Sequence, residues 1–409
     1  MKDSIIFHID VNSAYLSWTA LENLKNGSGT DLRLIPSIIG GDKAKRHGVV
    51  LAKSIPAKAY GIQTGEPVVN AFRKCPNLVM EAPDHHMYDR YSRQLMEYLM
   101  SICPDIEQVS IDECYMDYTP IMSHYPSPED AAAHIKDSIY EKFGFTVNIG
   151  ISNRKVLAKM ASDFKKPNLV HTLYAWEIEK KLWPMPVSSL FMCGRSSAES
   201  LKKLGILTIG DLANTDPAIL EAHLKSHGIT LWEFANGIDA SQVETRQIRA
   251  KGIGNSTTLS KDALTPEDVY PILLLLAESV GRRLRKSHEL AGSVCTEIKY
   301  ATFRSVSHQT ILSTPSASDH VIYQTALSLF DELWDGSPVR LLGIRTSKLV
   351  KEEEPMQMSL FDILSEKPIS EKQKKLDAAL DSIRNRYGYD AIKRGSLLSS
   401  PTKITDDPT

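Results

Sequence analysis

Cysteine is scarce in this chain: five residues in 409. Cys75, Cys103, Cys114, Cys193 and Cys295 are odd in number, and no two stand at CxxC spacing. That excludes a disulfide scaffold and a thiolate zinc site, and fits a reduced, cytoplasmic protein. Long apolar runs are missing too. The most apolar stretch, residues 272–277, falls far short of the roughly 20 residues of a spanning helix, so no membrane segment is expected. Met1-Lys2-Asp3 leads straight into a strand-like run, without the layout of a secretory signal. Nor is there an excess of one charge: 48 Lys+Arg against 50 Asp+Glu leave −2. A uniformly basic nucleic-acid binder is thereby excluded, and any such surface has to be a local patch. Internal repeats are absent.

What is present suits a soluble globular chain. Hydrophobic residues make up 42% and charged residues 24%, enough to bury real cores, and the length implies about two to four domains. Ile5-Ile6-Phe7-His8-Ile9 reads as a buried strand ending at Asp10. Residues 13–80 are mixed and rich in Gly, Lys and Pro. A helix is expected over residues 88–102, two short strands around Asp112-Glu113 over 109–118, and a helix over 131–143. A strand over 146–151 carries Val147, Ile149 and Ile151 on one face. Ser152 then suits a helix cap, and Val156, Leu157, Met160, Ala161 and Phe164 follow at core spacing. Strands separated by helices, with acids at strand ends, indicate an α+β sheet domain with helices on one side.

Beyond about residue 175 the chain becomes short helices broken by Gly, and residues 241–250 read as a polar linker. Thr265-Pro266-Glu267-Asp268 starts a helix ending in Arg282, Arg283, Arg285 and Lys286. Val294, Thr296, Ile298 and Tyr300 alternate with polar residues as in a half-exposed strand. After Lys351-Glu352-Glu353-Glu354-Pro355 comes a tail with one amphipathic helix, capped by Ser370 and Gln373, with Leu376, Leu380, Ile383 and Tyr387 on one face.

Asp10 ends a hydrophobic strand, and Asp112-Glu113 stands at a strand junction. Hard carboxylates at strand ends are what two-metal phosphoryl transfer needs: one Mg²⁺ activates the attacking oxygen and the other steadies the leaving group. Taken alone, such acids are more often solvated turn residues, and spacing alone cannot bring Asp10 beside Asp112. Other signals lead nowhere. Ser152-x-x-Lys155 lacks the partner motifs of penicillin-binding enzymes. Gly40-Gly41-Asp42 does not continue into a cyclase signature, and His85-His86 has no partner at metal spacing.

Asp10-Val11-Asn12-Ser13-Ala14-Tyr15, Ser110-Ile111-Asp112-Glu113, and Gly150 to Asp163 running into Lys166-Pro167-Asn168 together resemble the Y-family, or translesion, DNA polymerases, the group that includes DNA polymerase IV and UmuC-type proteins. The resemblance is ordered and runs from residue 5 to about 350. It implies a right-hand polymerase: a palm over residues 1–12 and 81–172, small fingers over 13–80, a helix-hairpin-helix thumb over 173–240, a linker over 241–250, and a separate α+β little finger over 251–350. The tail spans 351–409.

The resemblance also implies roles. Asp10, Asp112 and the backbone carbonyl of Val11 would ligate two Mg²⁺, with Glu113 beside the primer end at the catalytic metal. Tyr15 matches the steric gate, a ring that clashes with a ribose 2′-hydroxyl. Lys166 and Lys58 would contact the triphosphate. Lys58 stands where relatives carry Arg and lacks the bidentate fork; Ile55 stands where they carry a Tyr that touches phosphate. Asn12 replaces a second Asp, as in UmuC-type members. Gly194, in Met192-Cys193-Gly194, would let the thumb hairpin approach DNA phosphate, with one glycine of the usual pair missing. Arg282, with Arg283, Arg285 and Lys286, would track phosphates, although the same cluster also fits compensation of a helix dipole. Phe303 and Arg304, on the following strand, match a DNA-contacting stretch. Gln357, Leu360 and Phe361 resemble the peptide that holds the bacterial sliding clamp.

The expected partners are primer-template DNA, dNTPs and the clamp, for a monomer without membrane contact. The rival is a catalytically weak DNA-binding adaptor recruited to forks through the clamp. Intact Asp10, Asp112 and Glu113 argue against it; Ile55 and Lys58 argue mildly for it.

Overall fold

The structure, a computed structural model, describes residues 4–41, 48–246, 249–353, 371–388, 391–392 and 394–395. The chain forms two compact units, Met1–Gln247 and Ile248–Thr409. No helix among the described residues is long and apolar enough to cross a membrane.

The first unit opens with β1 (Ile6–Val11) and α1 (Ala14–Lys25). A small sheet follows: β2 (Ser37–Gly40), β3 (Val50–Lys53), α2 (Ile55–Ala59), α3 (Val68–Lys74) and β4 (Val79–Glu81), with strand order β3-β2-β4. Then come α4 (His85–Ile102), β5 (Ile106–Gln108), β6 (Glu113–Asp117), α5 (Pro128–Phe143), β7 (Val147–Ser152), α6 (Lys155–Ser162) and β8 (Val170–Thr172). The main sheet runs β5-β6-β1-β7-β8. Central β1 is antiparallel to both neighbours, so Asp10 faces Glu113 on one side and Asn148 on the other. Phe7, Ile9 and Val11 bury into a core completed by Trp18, Tyr88, Leu95 and Ile135 from the helices and by Phe145 from the loop before β7.

Local differences from the sequence reading have local causes. Of the two strands expected over 109–118, only β6 lies there; β5 precedes Val109, and Val109 to Asp112 form the turn. Ser152 is not a helix cap. It ends β7 and its hydroxyl donates to the Leu173 carbonyl at 2.6 Å, while Arg154 takes the cap position of α6. β7 is buried along its whole length, not on one face, because helices and neighbouring strands enclose it. Phe164 lies beyond the end of α6.

The remainder of the unit is helical: α7 (Ile178–Lys181), α8 (Arg195–Lys203), α9 (Ile209–Ala213), α10 (Pro217–Leu224) and α11 (Ser226–Ala235). Leu182, Leu190, Leu201, Leu212 and Leu231 share a core with Val156 and Leu157 of α6.

In the second unit an antiparallel sheet of order β11-β10-β12-β9 is built from β9 (Gly252–Ala263), β10 (Glu289–Tyr300), β11 (Ser305–Ser316) and β12 (Val339–Ser347). It packs on α12 (Pro266–Lys286) and α13 (Asp319–Leu333), and a short β13 (Val350–Lys351) pairs with β10. Thr265 and Asp268 close a capping box at the start of α12, as its sequence foretells. The alternation expected in β10 is only partial, since Cys295 is buried along with Val294 and Thr296.

The tail helix, α14 (Glu371–Tyr387), packs within this unit, but not by the expected apolar stripe. Leu376 and Tyr387 are 46% and 66% exposed, whereas Asp377 and Arg384 are buried. Charge decides the face. Fully buried Glu278 of α12 receives Arg384 at 2.8 Å and Arg394 at 2.6 Å, and Arg285 reaches Asp381 at 2.6 Å and Asp319 at 2.8 Å. Ser370 and the Gln373 side chain lie outside what is described.

Candidate active site

β1, β6 and their turns bring together acids about a hundred residues apart in sequence. The Val11 amide donates to the Asp112 carbonyl at 3.0 Å, which places Asp112 beside the end of β1, and Asp10 is paired across the ladder with Glu113. A cavity of about 370 Å³ opens there; Asp10, Val11, Tyr15, Lys53 and Asp112 are among its walls. Tyr15, on the first turn of α1, is stacked on Tyr88 with centroids 4.2 Å apart and planes 7° from parallel. The Tyr88 hydroxyl lies 3.0 Å from Thr19 Oγ1. The ring at the sequence-predicted gate position is therefore backed by a buried aromatic.

Each acid has its own partner. Lys166 Nζ lies 2.7 Å from Asp10 Oδ1 and 2.9 Å from Asp163 Oδ1. Ser110 Oγ donates to Asp112 Oδ1 at 2.7 Å. Glu113 Oε2 takes Lys159 in an ion pair, with His8 Nε2 3.3 Å away. His8 is wholly buried, and its Nδ1 lies 2.8 Å from Ser162 Oγ.

Electrostatics follow from these contacts. Burial pushes Asp10 above the ordinary aspartate value, and Lys166 pulls back against it. Burial also works against the Lys166 ammonium, yet Asp10 and Asp163 hold it above its ordinary value. Burial lowers His8, which keeps its imidazole neutral. His8 and Lys159 hold Glu113 down at about 2 against the cost of burial. Of the two, Lys159 supplies the charge.

Among the described residues no three acidic, imidazole or thiol side chains converge into a ready metal cage. The donors nevertheless suit a hard divalent ion: the two carboxylates of Asp10 and Asp112 line the same cavity as Val11, and all are oxygen ligands. The lysines now stand on carboxylates that a metal would use. Glu113 is turned to Lys159 and His8 and does not line the cavity.

His8, Ser162, Lys159 and Lys53 escaped the sequence reading. A signal existed for His8, which precedes Asp10 by two residues and so shares its face of β1. The others are set by tertiary packing.

The remaining residues fall as follows. Lys58 is exposed on α2, and Ile55 is 61% exposed; neither lines the cavity. Gly194 caps α8, and a Cβ built there would meet nothing within 4 Å. Met192 adopts φ 64°, a conformation that favours glycine. Arg282 is half-buried near the end of α12, and Arg285 is occupied by Asp319, Asp381 and the Ala317 carbonyl. Phe303 and Arg304 lie in the turn before β11, not on the strand. Phe303 is 64% exposed under the Arg340 guanidinium, and Arg304 pairs with Asp335. Gln357, Leu360 and Phe361 lie outside the described residues.

Comparison with known proteins gives the family. A family profile described as impB/mucB/samB family matches residues 9–163, and one described as its C-terminal domain matches residues 250–360. A DNA polymerase IV of Clostridium acetobutylicum is 46% identical over 98% of this chain and 99% of its own length. This chain belongs to the Y-family of DNA polymerases. The DNA polymerase IV of Acetivibrio thermocellus is 37% identical over 96% of the chain and 97% of its own length. The DNA polymerase IV 1 of Bacillus subtilis is 35% identical over 99% of the chain and 95% of its own length. A solved Y-family DNA polymerase chimera superposes with a TM-score of 0.74 at 22% identity, covering 85% of this chain and 99% of the other. The α+β fold is thus the Y-family fold, and its profile begins one residue before Asp10 and ends at Asp163, the acid that shares Lys166. The adaptor reading is not favoured.

Proposed function

We propose that this Y-family chain is a template-directed DNA polymerase of the translesion type, which joins the primer 3′-hydroxyl to the α-phosphate of a dNTP and releases pyrophosphate. The observation that carries the reading is the single cavity walled by Asp10, Asp112 and Tyr15, in a chain that matches polymerase IV relatives over nearly its whole length. Asp10, Asp112, the Val11 carbonyl and Glu113 would hold two Mg²⁺, which when bound supply charge neutralisation and an activated 3′-oxygen.

The chain's own residues do the rest. Tyr15, fixed against Tyr88, excludes a 2′-hydroxyl by its bulk. Lys166, once parted from Asp10, is a cation within reach of the cavity edge. The palm would comprise residues 1–12 and 81–172, with the other boundaries as given above. Gly194, Arg282, Phe303 and Arg304 would meet the DNA, and Gln357, Leu360 and Phe361 the sliding clamp. Family membership implies an open, tolerant site, with low fidelity and lesion bypass.

Primer extension with Mg²⁺ and dNTPs tests the proposal. Wild type should extend a templated primer, and Asp112→Ala should lower the rate by about a thousandfold or more. Equal extension by both would move the metal site elsewhere.

A further inference from the structure

We propose that Lys53 is the side chain that meets the triphosphate of the incoming nucleotide in this protein, a contact that shifts the phosphate grip from α2 to the end of β3. The inference deepens the polymerase reading and rests on it.

The end of β3 forms part of the cavity wall. Val50 and Ala52 are buried in β3 and Leu51 and Lys53 half-buried; at its C-terminal end Leu51, Ala52 and Lys53 all stand on the cavity wall, and of these only Lys53 brings a polar head. Among the described residues lining that cavity Lys53 is the only cation; Asp10, Asp112 and Tyr15 share the wall with it.

Availability points the same way. Lys53 makes no side-chain hydrogen bond or ion pair with any described residue, whereas Lys159 is paired with Glu113 and Lys166 with Asp10 and Asp163. Lys58, one helical segment further on, lies exposed and off the wall. The surroundings of Lys53 are rich in positive charge: Lys58 and Lys74 both act on it, with Glu66 as counter-charge, itself bonded to Lys74 at 2.7 Å. Burial and Lys58 lower the Lys53 pKa. A partly desolvated ammonium beside like charges gains more from an arriving anion than a solvated one does. The ligand chemistry is a polyphosphate. Phosphate could come from the nucleotide or from the template strand; the shared wall with Asp10 and Tyr15 favours the nucleotide.

The test uses the full chain on primer-template DNA. Lys53→Ala, Lys53→Gln and Lys53→Arg are compared for dNTP affinity, by equilibrium binding to a complex with a dideoxy-terminated primer, and for KM, kcat and DNA affinity. Lys53→Ala and Lys53→Gln should weaken dNTP binding and raise KM by about tenfold or more, as expected for loss of a charge-assisted phosphate contact. DNA affinity should hold, and Lys53→Arg should restore most of the loss. Weakened DNA binding with intact dNTP affinity would assign Lys53 to the template strand and overturn the proposal. Unchanged affinity for both would also overturn it. Wild type and Asp112→Ala run alongside: templated extension by wild type alone keeps the polymerase reading standing whichever way Lys53 falls.

Discussion

Glu113 is a carboxylate whose surroundings act strongly on its charge. His8 and Lys159 bring its pKa from 4.5 to about 2. A carboxylate depressed on folding contributes stability above its unfolded pKa and loses that contribution as pH falls through its folded one. The window here is pH 4.5 to about 2, and the full contribution is on the order of 3 kcal/mol before allowance for partial exposure. Glu113→Gln should flatten the acid limb of stability, measured by urea unfolding across that window; an unaltered limb would show that Lys159 and His8 do not act on it. The site was only half legible in the sequence. Asp10, Asp112, Glu113 and Tyr15 stood in recognisable strings, and His8 could have been read from alternation. Lys159 and Lys53 could not be assigned, because a lysine in a string says nothing about which carboxylate or cavity it will face.

What brings Lys159 and Ser162 to the acids is the seating of α6 on β7. Gly150 makes that seating possible. A Cβ there would lie 2.0 Å from the Ala158 carbonyl oxygen and 2.4 Å from the Ser162 amide nitrogen. Since Gly150 pairs with His8 across the sheet, the same close approach carries Ser162 to the imidazole. Gly150→Ala must push backbone apart and should cost about 3 kcal/mol or more; thermal unfolding measures the loss, and a shift within error would mean that α6 can slide without penalty. β1, β7, α4 and α5 were visible as hydrophobic runs and periodic faces, whereas the small sheet β3-β2-β4 and the strands β8, β9 and β12 were not read. The role of Ser152 was not, because a serine after a strand looks the same whether it caps a helix or bonds a neighbouring chain segment. α14 misled for a related reason. Periodicity marked Leu376 and Tyr387, but buried Glu278 and Asp319 and half-buried Arg285 on the opposing elements selected its charged side instead.

At the scale of the whole molecule the chain balances its charges locally. A net charge of −2 hides a cluster in the second unit, where Glu278 meets Arg384 and Arg394, and Arg285 meets Asp319 and Asp381. Removing one member of a buried pair leaves a stranded charge, at a cost of about 3 kcal/mol or more. Arg384→Ala should therefore strip hydrogen-exchange protection from α12 and α14 while β1 and β7 keep theirs; retained protection in α14 would mean that its docking does not depend on the cluster. Composition could foretell two or more domains, but not which unit the tail would join, since that depends on partners far away in sequence. The same local matching governs Asp10 and Glu113. With Lys166 on Asp10 and Lys159 on Glu113, the apoprotein carries its own counter-ions. Unlike small domains that collapse when a chelator takes their ion, a protein so balanced keeps its fold through a chelator's passage, whatever ion its site would take.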